Sequence, residues 1–167
     1  MIEINGKKYS QEDIDIMLIV ACKNLDLKTV VRCVEEYKAN LNAMDAANYA
    51  RVLMYALRSC EGKDSTGEVI VKYLVNHGAE INFKHGDKGV YNDSKPYFIY
   101  WACENPNHIS DELVEFLIKK GGVTTLEYTP TTKSSNYISA KDMIKNRRPE
   151  LYKKLVNNKT IVDRVKR

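Results

Sequence analysis

The chain has 167 residues, 44% of them apolar and 29% charged, with 26 Lys and Arg against 22 Asp and Glu for a formal net charge of +4. That length supports one continuous core, and no run of about 18 apolar residues offers a membrane span. The cysteines, Cys22, Cys33, Cys60 and Cys103, fall in no CxxC or other metal spacing, which argues against a zinc module; reduced thiols are expected, with Cys22 and Cys103 as small buried hydrophobes.

The opening MIEINGKKYS is too polar and too short to form a repeated unit, and its charges precede any apolar stretch, unlike a secretory signal. Ser10 followed by Asp13 predicts a capping box at the start of the first helix. Within that helix LIVAC, residues 18 to 22, places Ala21 at a position that LMYAL (53 to 57) and IYWAC (99 to 103) repeat as Ala56 and Ala102. Alanine suits a place where one helix presses on the next, because a larger side chain would hold the backbones apart.

A second recurrence closes each segment. In VKYLVNHGAEIN, residues 71 to 82, Val71, Leu74 and Val75 share a helical face, and Gly78 stands where a left-handed cap is easiest. Ala39-Asn40-Leu41-Asn42 lies over Ala79-Glu80-Ile81-Asn82, and ELVEFLIKKGG, residues 112 to 122, repeats the helix and its glycine. Residues 61 to 67 have the composition of a phosphate loop but lack GxxxxGK; they read as a turn, with Ser65 and Glu68 forming a capping box for the next helix. ISAKDMIKNRRPELYKKLV, residues 138 to 156, reads as a closing helix pair with Ser139 as N-cap and Pro149 opening the second helix.

These recurrences resemble the ankyrin-repeat family, with the alanine helix standing where its consensus carries T-P-L-H-x-A. The alanines are 35 and 46 residues apart, so insertions lengthen the family's period of roughly 33. The resemblance implies an all-α fold, an ankyrin-repeat solenoid of stacked helix-turn-helix units with extended hairpin loops. It would form a single domain, with repeats near residues 13–45, 46–85 and 86–125 and a C-terminal capping unit at 126–167.

The resemblance also implies a function, because ankyrin proteins hold other proteins on the tips between repeats and on the concave helix face. The first tip corresponds to Met44 through Arg51, with Met44, Ala47, Asn48, Tyr49 and Arg51 as candidate contacts. The second runs from Lys84 to Tyr97, with Lys84, His85, Lys88, Tyr91 and Tyr97; it is about seven residues longer than the family's spacing requires, and long loops often carry function. Tyr100 follows that tip at once, Arg58 and Glu104 lie on the concave side, and Trp101 replaces a core residue and is expected inside. The expected role is a monomeric protein-binding module such as an effector, inhibitor or immunity protein. Its expected setting is cytoplasmic, or a host's cytosol or nucleus if the chain serves a virus or intracellular pathogen.

No catalytic, cofactor or metal site is expected. P-loop, GxSxG, GxGxxG and HExxH patterns are missing, and His77, His85 and His108 share no ligand spacing. An alternative lies in the charge distribution: from Lys133 to Arg167 there are 11 Lys or Arg against 3 Asp or Glu. Lys145, Arg147, Arg148, Lys153, Lys154, Lys159, Arg164, Lys166 and Arg167 could then neutralise phosphates of a nucleic acid or an anionic lipid. The plainer reading of the same residues is a solvated cap.

Overall fold

The computed structural model describes residues 1–45, 47, 50–82, 97–122, 127–128 and 138–160. Helices dominate these residues; the strands are two or three residues long and pair only as antiparallel two-stranded ladders. The chain divides into two compact units, Met1–Glu80 and Ile81–Arg167.

The first unit opens with a hairpin of β1 (Ile2–Ile4) and β2 (Lys7–Tyr9), in which Ile2 pairs with Tyr9 and Ile4 with Lys7. Asn5 and Gly6 turn it with φ of 51° and 76°, the two positive values that a tight hairpin turn needs. Ser10 then starts α1 (Gln11–Lys23) through the predicted capping box, and Asp26 caps α2 (Leu27–Glu35) by accepting from Thr29 N at 3.0 Å. A second hairpin, β3 (Met44–Asp45) with β4 (Ala50–Arg51), leads into α3 (Val52–Arg58) and then α4 (Thr66–Asn76), which Ser65 caps.

Helix α1 packs on α2 and on α3, α3 on α4, and α2 on α4. Ala21 and Ala56 are buried in α1 and α3, beside Leu18, Cys22, Leu53 and Leu57. Gly67 makes the α3–α4 approach possible, since a Cβ there would stand 2.8 Å from the Ser59 carbonyl oxygen. Glu68, one residue on, has its amide on the Ser65 hydroxyl at 3.4 Å and its side chain fully buried.

The second unit repeats the arrangement. Helix α5 (Tyr97–Glu104) packs on α6 (Asp111–Lys119) and α7 (Ala140–Arg147), while α8 (Pro149–Asn157) packs on α7 and α6. The short ladder β5 (Glu127–Tyr128) with β6 (Ile138–Ser139) precedes α7. Ser139 caps α7 and Pro149 opens α8 as the sequence predicts. Trp101, expected inside, is only half-buried. Phe98, Ile99, Ala102 and Cys103 already supply the inward face of α5, and residue 101 falls at its edge.

Four helices end in one way. The sixth residue bonds back to the first through Asp26 N to Ala21 O (2.9 Å), Ala79 N to Leu74 O (3.0 Å), Gly122 N to Leu117 O (2.9 Å) and Thr160 N to Leu155 O (2.9 Å). The residue before each donor is left-handed: Leu25 (56°), Gly78 (100°), Gly121 (99°) and Lys159 (53°). The recurrent asparagines then join successive endings. Asn42 Oδ1 accepts from Glu80 N at 2.8 Å in the first unit, and Asn82 Nδ2 donates to Gly121 O at 2.8 Å in the second.

Arg148 corrects the phosphate-binding expectation for that residue. It is 3% exposed, and its guanidinium donates to Cys103 O (3.2 Å), Ala102 O (3.0 Å), Ile109 O (2.9 Å) and Asp111 Oδ1 (2.5 Å). The last carbonyls of α5 lack intrahelical donors, and this planar fork supplies them.

Arg148→Lys keeps the charge but cannot reach all four acceptors, so it should leave buried carbonyls without donors and cost the fold about 1–3 kcal/mol. Asp111→Asn should cost much less, because that carboxylate side chain is 48% exposed. Denaturant unfolding of both variants checks the ranking. Acid should act through Glu115, whose hydrogen bonds to Lys119 (2.8 Å) and Lys154 (2.6 Å) hold its carboxyl below its ordinary value. A depressed folded pKa stabilises above the unfolded value of about 4.3 and stops doing so as pH falls through the folded value. Melting curves from neutral to strongly acidic pH should therefore show wild type losing more stability than Glu115→Gln below about pH 4.

Candidate functional site

One carboxylate sets the geometry beside the β3–β4 hairpin. Asp45, at the end of β3, accepts at Oδ2 from the Tyr55 hydroxyl of α3 (2.6 Å) and from Lys23 Nζ at the end of α1 (3.2 Å). Its Oδ1 takes the Ala47 amide at 2.9 Å, which tightens the turn. Lys23 Nζ also stands 4.2 Å from the centre of the Tyr55 ring. Burial works to lower the Lys23 pKa, but the bond to Asp45 and the charges of Asp45 and Tyr55 outweigh it, and the net shift is upward.

Further bonds hold the same hairpin. Val52 N donates to Ala43 O at 3.1 Å, and Asp15 Oδ1 on α1 accepts from Asn40 N at 2.8 Å. Arg51 bonds Glu80 across 2.6 Å, which ties β4 to the segment after α4.

Between α1 and this hairpin lies a groove of about 590 Å³, lined by Glu12, Asp15, Ile16, Ile19, Val20 and Lys23 on the helix and by Asn40, Ala43, Met44, Asp45 and Ala47 opposite. Ile16 is 51% exposed, Val20 45% and Met44 39%. These are large apolar side chains on one surface. Residues 16 and 20 are one helical turn apart and so share a face of α1; Met44 lies across from them.

The predicted site residues divide accordingly. Met44 and Ala47 line the groove; Arg51 braces its hairpin, and Arg58 is exposed at the end of α3. Asn48, Tyr49, Lys84, His85, Lys88 and Tyr91 lie outside the described residues, as does the side chain of Tyr97. Tyr100 and Glu104 belong to the second unit, half-buried on α5. Ile16, Val20, Glu12 and Asp15 line the groove as well, outside the residues that the repeat resemblance singles out.

The other candidates have structural roles or none. His77 caps α4, its Nδ1 2.8 Å from Tyr73 O and its ring 4.1 Å from that of Tyr73. Among the described residues no group of three or more His, Cys, Asp or Glu is placed to hold a metal. Burial pushes the thiols of Cys22, Cys60 and Cys103 up to about 12 and that of Cys33 to about 11, the reverse of a nucleophile's requirement. In the basic C-terminal unit Lys153 pairs with Glu150 and Lys154 with Glu115; Lys145 and Arg147 are exposed. Arg164, Lys166 and Arg167 lie outside the described residues. No helix among the described residues is long and apolar enough to cross a membrane.

No protein-family model matches the chain, and no curated protein matches it. Asp45→Ala should release the hairpin from α1 and α3 by removing the bonds from the Tyr55 hydroxyl and Lys23, and cost about 1–3 kcal/mol. Amide exchange in the variant should rise at residues 43–45 and 50–52 before it rises in α4.

Proposed function

We propose that the chain is a small, divergent ankyrin-repeat protein that works by holding another protein, with the groove between α1 and the β3–β4 hairpin as its contact surface. The observation that carries this reading is the set Ile16, Val20 and Met44, exposed together on one surface that hydrogen bonds fix in shape. Large apolar side chains clustered in the open are the usual mark of an interaction site. The repeat reading is supported by the recurrence, within each unit, of helix on helix in the same order and by the asparagine that bridges successive endings. No ligand-activating constellation among the described residues competes with it: the thiols are buried and His77 is engaged at a helix end. The expectations of a cytoplasmic setting and of an effector, inhibitor or immunity role belong to this reading.

Capture from the native cell provides the test. Ile16→Asp with Val20→Asp should preserve the helical circular dichroism, since both side chains already face solvent, and should reduce recovery of the bound protein about tenfold or more. Val69→Asp, at another exposed apolar position on α4, should leave recovery unchanged. Equal recovery by wild type and by the double variant would remove the groove from the function.

A further inference from the structure

The charges along the groove identify the kind of segment it accepts. Three of its lining residues are carboxylates, Glu12, Asp15 and Asp45, against one cation, Lys23. Asp45 and Lys23 answer each other at 3.2 Å at one end of the α1 face. At the other end, Glu12 and Asp15 stand three residues apart, on one side of the helix. Asp15 accepts from Gln11 Nε2 (2.9 Å) and Asn40 N (2.8 Å), both uncharged, so it is held in place with no cation answering it among the described residues. Glu12 is exposed and has no partner among the described residues. The positive end of the α1 dipole, worth about half a charge, is already met by Asp13 in the capping box.

Resting on the reading above, we infer that the groove takes a basic, amphipathic segment of a partner protein: apolar side chains against Ile16, Val20 and Met44, and a Lys or Arg against Glu12 and Asp15. Three apolar contacts supply area without direction. The pair of carboxylates at one end supplies direction, because a segment laid the other way would bring its cation to Lys23 and leave Glu12 and Asp15 unpaired. The volume of about 590 Å³ lies within the range of ligand-binding clefts.

A displayed library of random linear peptides, selected on the full chain, tests the assignment. Enriched peptides should carry an excess of Lys and Arg beside spaced apolar residues, and none should bind the Ile16→Asp, Val20→Asp double variant. Glu12→Lys should weaken a selected peptide about tenfold or more. The same peptide with its Lys and Arg changed to Glu should bind Glu12→Lys better than it binds wild type. Asp15 is left intact because it holds the Asn40 amide. If the enriched peptides are neutral or acidic but still lost in the double variant, the basic class is wrong and the groove reading survives. If peptides bind the double variant as well as wild type, or none is enriched, both readings fall.

Discussion

The fold depends on how its helices end. A helix leaves its last carbonyls without donors, and a chain of short helices meets that cost again every ten residues or so. At α1, α4, α6 and α8 the chain answers locally, by turning one residue left-handed so that the next amide folds back. That turn also reverses the chain, so capping a helix and starting the next element become the same event. At α5 the answer comes from far away in sequence, as Arg148 brings its guanidinium to Ala102 and Cys103. A local cap orders only its own helix, whereas Arg148 also fixes where α7 and α8 stand in the second unit.

Leucine and lysine at two of the left-handed positions show the limit of reading such caps from glycine alone. Leu25 and Lys159 adopt φ of 56° and 53°, at a cost of roughly 1 kcal/mol that glycine would avoid. The back-bonded amides offset that strain. Glycine marks the cap in α4 and α6, and there the sequence exposes it; in α1 and α8 the same geometry carries no composition signal.

Much of the helical framework is legible in the residues: the Ser10 capping box, the Ser65 and Ser139 caps, Pro149, the alanines of the packed faces and Gly78 and Gly121. Each is a local signal with a local cause. Polarity hides the β1–β2 hairpin, although the Asn5-Gly6 turn announces it. Arg148 could not be read, since its acceptors lie 37 to 46 residues away and only the fold assembles them. The groove is hidden for a different reason. Helix α1 is apolar at 14, 16, 17, 18, 19 and 20, so periodicity gives no reason to single out Ile16 and Val20 as the pair left in the open. The tip at Met44 was anticipated; the helix face across from it was not.

The buried thiols make the chain its own clock. A thiol reagent needs the thiolate, and burial both withholds that form and blocks access, so labelling waits for the surrounding structure to open. Cys22, Cys33 and Cys60 lie within Met1–Glu80 and Cys103 within Ile81–Arg167. The relative rates of modification at Cys22 and Cys103 thus compare the opening free energies of the two units. Corrected for the intrinsic reactivity of each thiol, the two rates give the stability of each unit without any engineered probe.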